Sequence, residues 1–363
     1  MKSLTIRLTF FKTAFLCLLI SGLVFTACKK DAAVVVPPAD FTSLTAALKI
    51  AQGLNDSTAE GTKPGYYEVG NKASLVAALS TSKGVAADPK STQTSVNNTA
   101  AQLLAAIAAY QSHLIKEIAA ANLIGFWKMN GNTADSSGNN NDGVATAGHA
   151  YFGAGVLAPA ADRFSRAGMA YHFDMGSNIN VPYKASLNPA QMSISLWAKW
   201  SSTGRTVNAD TYTFVAMNRW NGYKFQLQGG HLPFFTIKVL RAAGDTTIYD
   251  RDDAGVAVAE NTWRHLVVTF TSGVESFYID GGLVKSWDVT SSAPVPGNGL
   301  TLPMPIDFVI GQDLPTAKYL TVDGDYQVKW GGFFTGDMDD VMFYNIALDG
   351  PQVTSIFNNQ KTL

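Results

Sequence analysis

The sequence predicts a chain in two parts, a small helical module followed by an all-β sandwich or barrel. Three observations carry this. Residues 41–121 are dominated by Ala, Leu, Ser and Thr with apolar residues at helical spacing. From Leu123 onward the texture changes to short alternating stretches divided by Gly, Asn, Asp and Pro. The composition, with 32 Gly, 20 Phe, 13 Tyr and 7 Trp in 363 residues, suits strands and turns. Lys+Arg 27 against Asp+Glu 28 gives a net charge of −1, which argues against a nucleic-acid binder. A hydrophobic share of 47% argues against disorder.

The elements follow in order. Lys2, Arg7 and Lys12 precede an apolar run over residues 13–25, the charged and apolar regions of a secretory signal. The run is too short to span a bilayer, which takes about 20 apolar residues. It ends Phe25, Thr26, Ala27, Cys28, which resembles a bacterial lipobox. The resemblance implies cleavage after residue 27, a lipid on Cys28 and an outer-membrane lipoprotein open to display at the cell surface. Acyl chains contribute about 0.8 kcal/mol per buried CH₂. An ordinary signal peptide with an incidental cysteine is the alternative. Cys17 falls inside the removed segment, so no zinc-type cysteine spacing exists. Residues 28–40, with Pro37 and Pro38, read as a semi-rigid tether.

Within 41–121, Leu44, Leu48, Ala51 and Leu54 share one helical face, and Leu75, Ala78 and Leu79 another. Val96, Ala100, Leu103, Ile107, Tyr110, Leu114 and Ile118 form a third stripe, and the breaks at Gly61, Pro64, Gly65 and Pro89 make a three-helix module. The segment from Glu60 through Tyr66, Tyr67 and Gly70 to Ala78 resembles the FIVAR-type helical repeat of bacterial surface proteins, which implies a spacer. Strands are expected at 124–129, 170–173, 193–200, 213–217, 223–228, 234–241, 246–249, 263–269, 275–279, 307–310, 326–330 and 336–344.

Several blocks in 122–363 carry a second resemblance. Trp127 with Asn130, Gly131, Asn132, Asp135 and Gly143 opens it; Ala170 to Asp174 and Met192 to Ala198 follow. Trp263 to Phe270 with Phe277 to Gly281 forms a hairpin block, and Gly336 to Val341 with Phe343 to Leu348 closes it. In this order they resemble the laminin G-like, pentraxin-like branch of the concanavalin A-like lectin/glucanase superfamily. That implies a jelly-roll sandwich of two curved antiparallel sheets with one concave face.

Glycanases of that fold place Glu and Asp at alternate positions of one strand, with the carboxyls of a retaining enzyme about 5 Å apart. No Glu-x-Asp-x-Glu occurs here, and beyond residue 122 the glutamates are Glu260 and Glu275. An extended hairpin separates these by about 30 Å. No catalytic residue is therefore assigned. The resemblance implies a structural Ca²⁺ between the first and last strands, with Asp339, Asn130 and Asp135 as ligands. The alternative is that Asp339 caps a turn and Asp135 closes an Asx-turn. For a sugar, flat aromatics beside polar groups are wanted. Trp220, Tyr223, Trp330, Trp200 and Trp287, with Arg219 beside Trp220, are the candidates, together with Tyr212 and Tyr319. His172, His231 and His265 read as structural. The leading expectation is an envelope lipoprotein of a glycan-foraging bacterium that binds polysaccharide without cutting it. An adhesion or scaffold module that binds protein is the alternative, and a divergent glycoside hydrolase a third.

Overall fold

The computed structural model describes residues 37–149, 153–205, 211–240, 246–251, 255–271, 273–288, 306–319 and 332–362. The signal segment, Cys28, most of the linker, Trp330 and the strand expected at 326–330 lie outside the described residues. Asp40–Leu363 form one compact unit that holds both helices and sheets.

Helices α1 (Thr42–Ser57), α2 (Lys72–Ala87) and α3 (Gln93–Ser112) pack against one another. Leu44, Ala47 and Ala51, Leu75 and Leu79, and Val96, Ala100, Leu103, Ile107 and Tyr110 are the buried faces. Thr92 starts α3, its hydroxyl accepting from the Ser95 amide at 3.2 Å. Between α1 and α2 the chain returns through Tyr67, whose ring stacks on Tyr110 at 4.2 Å and 9°. That tyrosine packs the turn, whereas Tyr66 is exposed.

Fifteen strands follow among the described residues. They are β1 (Leu123–Trp127), β2 (Val144–Thr146), β3 (Leu157–Ala160), β4 (Ala170–Phe173), β5 (Asn178–Val181), β6 (Met192–Trp200), β7 (Tyr212–Met217), β8 (Tyr223–Gln228), β9 (Leu232–Leu240), β10 (Thr246–Arg251), β11 (Arg264–Thr271), β12 (Val274–Ile279), β13 (Gly282–Asp288), β14 (Phe308–Ile310) and β15 (Gly336–Tyr344). The back sheet has eight, in the order β13-β12-β11-β6-β15-β4-β3 with β1 also paired to β15. The front sheet has seven, in the order β10-β9-β8-β7-β14-β5-β2. All pairings are antiparallel, and the two sheets make a jelly-roll-like sandwich.

Period-two alternation sets the core. Ile194, Leu196, Ala198 and Trp200 of β6, Leu266, Val268 and Phe270 of β11, and Tyr223, Phe225 and Leu227 of β8 belong to one buried cluster. Each large side chain in it contributes about 1.5–3 kcal/mol on burial.

A fourth helix among the described residues, α4 (Gly350–Gln360), was not expected from the sequence. It begins at a capping box: Asp349 accepts from the Gln352 amide at 3.1 Å, and the Gln352 side chain accepts from the Asp349 amide at 3.0 Å. Val353 and Ile356 pack on Val267, Tyr278, Met342 and Tyr344 of the back sheet's outer face. The helix also ties the sheets to the helical module. Ser355 donates to the Thr62 carbonyl at 2.5 Å, and Lys116 pairs with Asp349 at 2.9 Å.

Candidate functional site

The outer face of the front sheet carries a polar cleft. Along β8 the core residues Tyr223, Phe225 and Leu227 alternate with Lys224, Gln226 and Gln228, so all three polar side chains point outward. Register brings Thr236 of β9 beside Lys224 and Phe234 beside Gln226, with Thr213 of β7 on the other flank. The Thr213 hydroxyl donates to Gln226 Oε1 at 3.1 Å, and Gln226 Nε2 donates to Gln228 Oε1 at 2.7 Å. A cavity of about 330 Å³ lies over these residues, lined also by Trp220 and by Asp250 of β10.

Trp220 is delivered by a tight turn after β7. Asn218 and Arg219 adopt φ of 56° and 50°, left-handed values that cost a side-chain-bearing residue free energy. The turn is held by Arg219, which is fully buried and donates from Nε to Asp313 at 2.6 Å. Tyr319 donates its hydroxyl to the other oxygen of Asp313. The Arg219 guanidinium lies 5.1 Å from the Trp220 ring centre and 5.3 Å from that of Tyr319. On the cleft side, Lys224 Nζ lies 4.6 Å from the Trp220 ring and 5.4 Å from the Phe234 ring. Burial pushes the Lys224 ammonium down to about 8, against the opposing pull of Asp313 and Asp250.

The sequence-derived candidates divide sharply. Trp220 reaches the cleft, with Arg219 as its buried support and no open face of its own. Tyr223 and Trp200 are corrected to core residues. The Tyr223 hydroxyl donates to the Leu187 carbonyl at 2.7 Å, and Trp200 Nε1 donates to the Val258 carbonyl at 2.9 Å. Trp200 also stacks on His231 at 4.1 Å. Tyr212 and Tyr319 are buried as well. Trp287 sits on β13, at the edge of the back sheet, with Lys285 at 4.6 Å from its ring. Sequence reasoning missed Lys224, Gln226, Gln228, Phe234 and Asp250. The polar alternation in Tyr-Lys-Phe-Gln-Leu-Gln was the available signal.

The donors expected for Ca²⁺ do not fit a metal. Asp135 uses both oxygens on the Phe126, Ser137 and Asn141 amides and the Ser137 hydroxyl, at 2.8–2.9 Å. Asp339 pairs with Arg163 Nη1, and Asp340 accepts from Arg163 Nη2 at 2.8 Å. Burial and the neighbouring Asp340 push the Asp339 carboxyl up to about 8, while Arg163 opposes the rise. Asn130, with its amide turned for hydrogen bonding, donates to the Lys128 and Met169 carbonyls. No group of three or more His, Cys, Asp or Glu that could hold an ion occurs among the described residues. A guanidinium supplies the positive charge beside Asp339 in this chain.

The two glutamates lie at opposite ends of β11. Glu275 pairs across from Phe270, and its carboxyl is driven well above its usual range by burial. Glu260 precedes β11 and accepts from the Ser202 amide at 2.6 Å. A serine–histidine pair that the sequence spacing did not suggest joins Ser195 to His265 Nε2 at 2.8 Å. Both residues are fully buried, and burial holds the imidazole down to about 3. Phe357 of α4 stacks over it at 5.8 Å, so the pair faces protein and not a cleft.

Residues 173–354 match the family model of the concanavalin A-like lectin/glucanases superfamily. A gellan lyase from a Bacillus species is 41% identical over 83 residues, 22% of this chain and 3% of that protein, so the chain matches only a small part of that relative's length. Among solved structures, domain 4 of AbnA, a GH43 extracellular arabinanase from Geobacillus stearothermophilus in complex with arabinotriose, aligns with a TM-score of 0.46 at 21% identity, covering 65% of this chain and 98% of that one. The receptor-binding domain of botulinum neurotoxin mosaic serotype C/D aligns with a TM-score of 0.42 at 15% identity, covering 66% of this chain and 51% of that one.

Proposed function

The chain belongs to the concanavalin A-like lectin/glucanases superfamily, and from that premise we propose that it is a lipid-anchored envelope protein whose sandwich binds polysaccharide without cleaving it. The observation that carries this reading is the cleft on the front sheet. It sets the partly exposed Trp220 ring beside the polar end of Gln228, over a floor of Lys224, Gln226 and Phe234. Sugar rings offer apolar CH faces to stack and hydroxyls to bond, and pockets for such ligands combine a few aromatic walls with a few convergent polar groups. Among the described lining residues the cleft holds one carboxylate, Asp250. Hydrolysis by either stereochemical course uses a pair of carboxyls, 5–10 Å apart by a rough bound. The 83-residue likeness to a protein named as a gellan lyase is in keeping with a polysaccharide ligand. The anchor is a lipid on Cys28 after a cleaved signal, with residues 28–40 as tether and the helical module as a FIVAR-like spacer on the outer membrane.

Two measurements test this. Purified chain is applied to a glycan array, and Trp220→Ala is expected to weaken binding by about thirtyfold or more. An array on which no glycan binds would turn the reading toward a protein partner, and release of reducing sugar from a bound glycan would turn it toward a hydrolase. Radiolabelled palmitate fed to expressing cells should label the wild type and spare Cys28→Ala; equal labelling of both would remove the anchor.

A further inference from the structure

Resting on the glycan-binding reading of the same cleft, we infer that its ligand carries an anionic group, a uronate carboxylate or a sulfate ester, that Lys224 receives between Trp220 and Phe234. Lys224 is 4% exposed, and among the described residues its ammonium makes no hydrogen bond and no ion pair. The two aromatic faces attract the charge but accept none of its three N–H bonds in the ordinary sense. The other groups around it do not neutralise it. Arg219 and Asp313 are fully buried and spent on each other at 2.6 Å. Its cross-strand neighbours Ala216 and Thr236 are uncharged, and Lys238 donates to Asn221 at 3.2 Å. Asp250, the carboxylate of the cleft, stands exposed at the rim.

Position therefore separates the two charges of the cleft. Lys224 acts from a low-dielectric floor and Asp250 from solvent, so an entering anion gains more from the first than it loses to the second. Holding an ammonium on a 4% exposed side chain with no hydrogen-bond partner among the described residues costs the fold free energy. Such a cost persists where a ligand completes the site, the general trade between stability and function. Burial lowers the Lys224 value, and Asp313 and Asp250 oppose that fall.

The test uses a glycan array on which each acidic glycan is printed beside its carboxyl-reduced or desulfated counterpart, followed by titration of the bound pairs. Removing the anion should weaken binding about tenfold to a hundredfold, as for one charge-assisted hydrogen bond. Carboxyl-reduced and desulfated arms tell a uronate from a sulfate ester. Lys224→Met should lose that preference, binding the acidic and neutral members of a pair alike, and melt about 2 °C or more above wild type, because the unpaired charge is gone. Asp250→Asn should bind the acidic member about twofold to fivefold more tightly. If neutral counterparts bind as well as acidic ones, or Lys224→Met binds the acidic glycan unchanged, the anionic preference is refuted while the glycan reading stands. A lower melting temperature for Lys224→Met would also refute it, by showing that the ammonium supports the fold. If wild type binds no glycan at all, both readings go.

Discussion

The outer faces of the two sheets carry comparable chemistry and differ in what lies over them. On the back sheet, Ser195, His265, Trp197, Asp339 and Arg163 would look like a reactive cluster if drawn alone. There α4 and its Phe357 cover the histidine, Trp197 Nε1 donates to Gln360 at 2.9 Å, and hydrophobic residues fill the remainder. On the front sheet, Lys224, Gln226 and Trp220 line an open cleft of about 330 Å³. The residue types on a strand thus say less about activity than whether a neighbouring element closes the face.

That contrast can be broken experimentally. The largest effect is expected on the covered face. Arg163→Met leaves Asp339 and Asp340 buried side by side without their cation, and urea denaturation should show a loss of about 3–5 kcal/mol. Survival of full stability would mean that the arginine is not the charge holding those strands. Trp220→Ala, on the open face, should leave unfolding within about 0.5 kcal/mol of wild type while binding falls. A loss comparable to that of Arg163→Met would make the tryptophan a structural element.

Between the faces, Glu275 is buried with neither oxygen hydrogen-bonded. Its folded-state value is raised, so the unfolded chain ionises first and stability falls as pH climbs above the unfolded carboxyl value of 4.5. Glu275→Gln should therefore gain about 1–2 kcal/mol at pH 7 and nothing at pH 4, read from denaturation curves at both pH values. The smallest effect belongs to His172, which bonds Asp337 at 2.7 Å with a half-exposed side chain. Its value is raised chiefly by that bond, so its contribution is present below the ordinary imidazole value of 6.5 and fades as pH rises through the folded one. His172→Gln should cost about 0.5 kcal/mol or less at pH 5.5 and less still at pH 9, because water screens the pair.

Much of the sandwich was legible because alternation and punctuation coincide. The expected ranges 170–173, 223–228 and 336–344 are those of β4, β8 and β15. β2, β3, β5 and β13 were missed: they are short or lie at sheet edges, and Pro159 in β3 and Gly282 in β13 read as breakers. The helix α4 was missed because Val353, Ile356 and Phe357 are flanked by Asn358 and Asn359, although Asp349, Pro351 and Gln352 spelled a helix start. In the site, Trp220 was legible as a turn aromatic. Trp200 and Tyr223 were misassigned, yet their parity with Leu196 and Phe225 already put them inward. Lys224 escaped notice because a lysine alternating with core residues reads as a solvated face. Only the folding of Trp220 and Phe234 over it makes it a buried cation.

One pairing has a bearing on how the molecule is made. The opening strand β1 lies against strand β15, and α4, which follows it, fastens the helical module to the sandwich. A ribosome or a translocation pore delivers the chain from its amino end, so the shell cannot shut until β15 has emerged. Pairing across such sequence distance is slow. The half-delivered chain would keep its apolar surface uncovered for that interval, a state in which holding chaperones and a late, all-or-none closure matter more than the strength of any single contact.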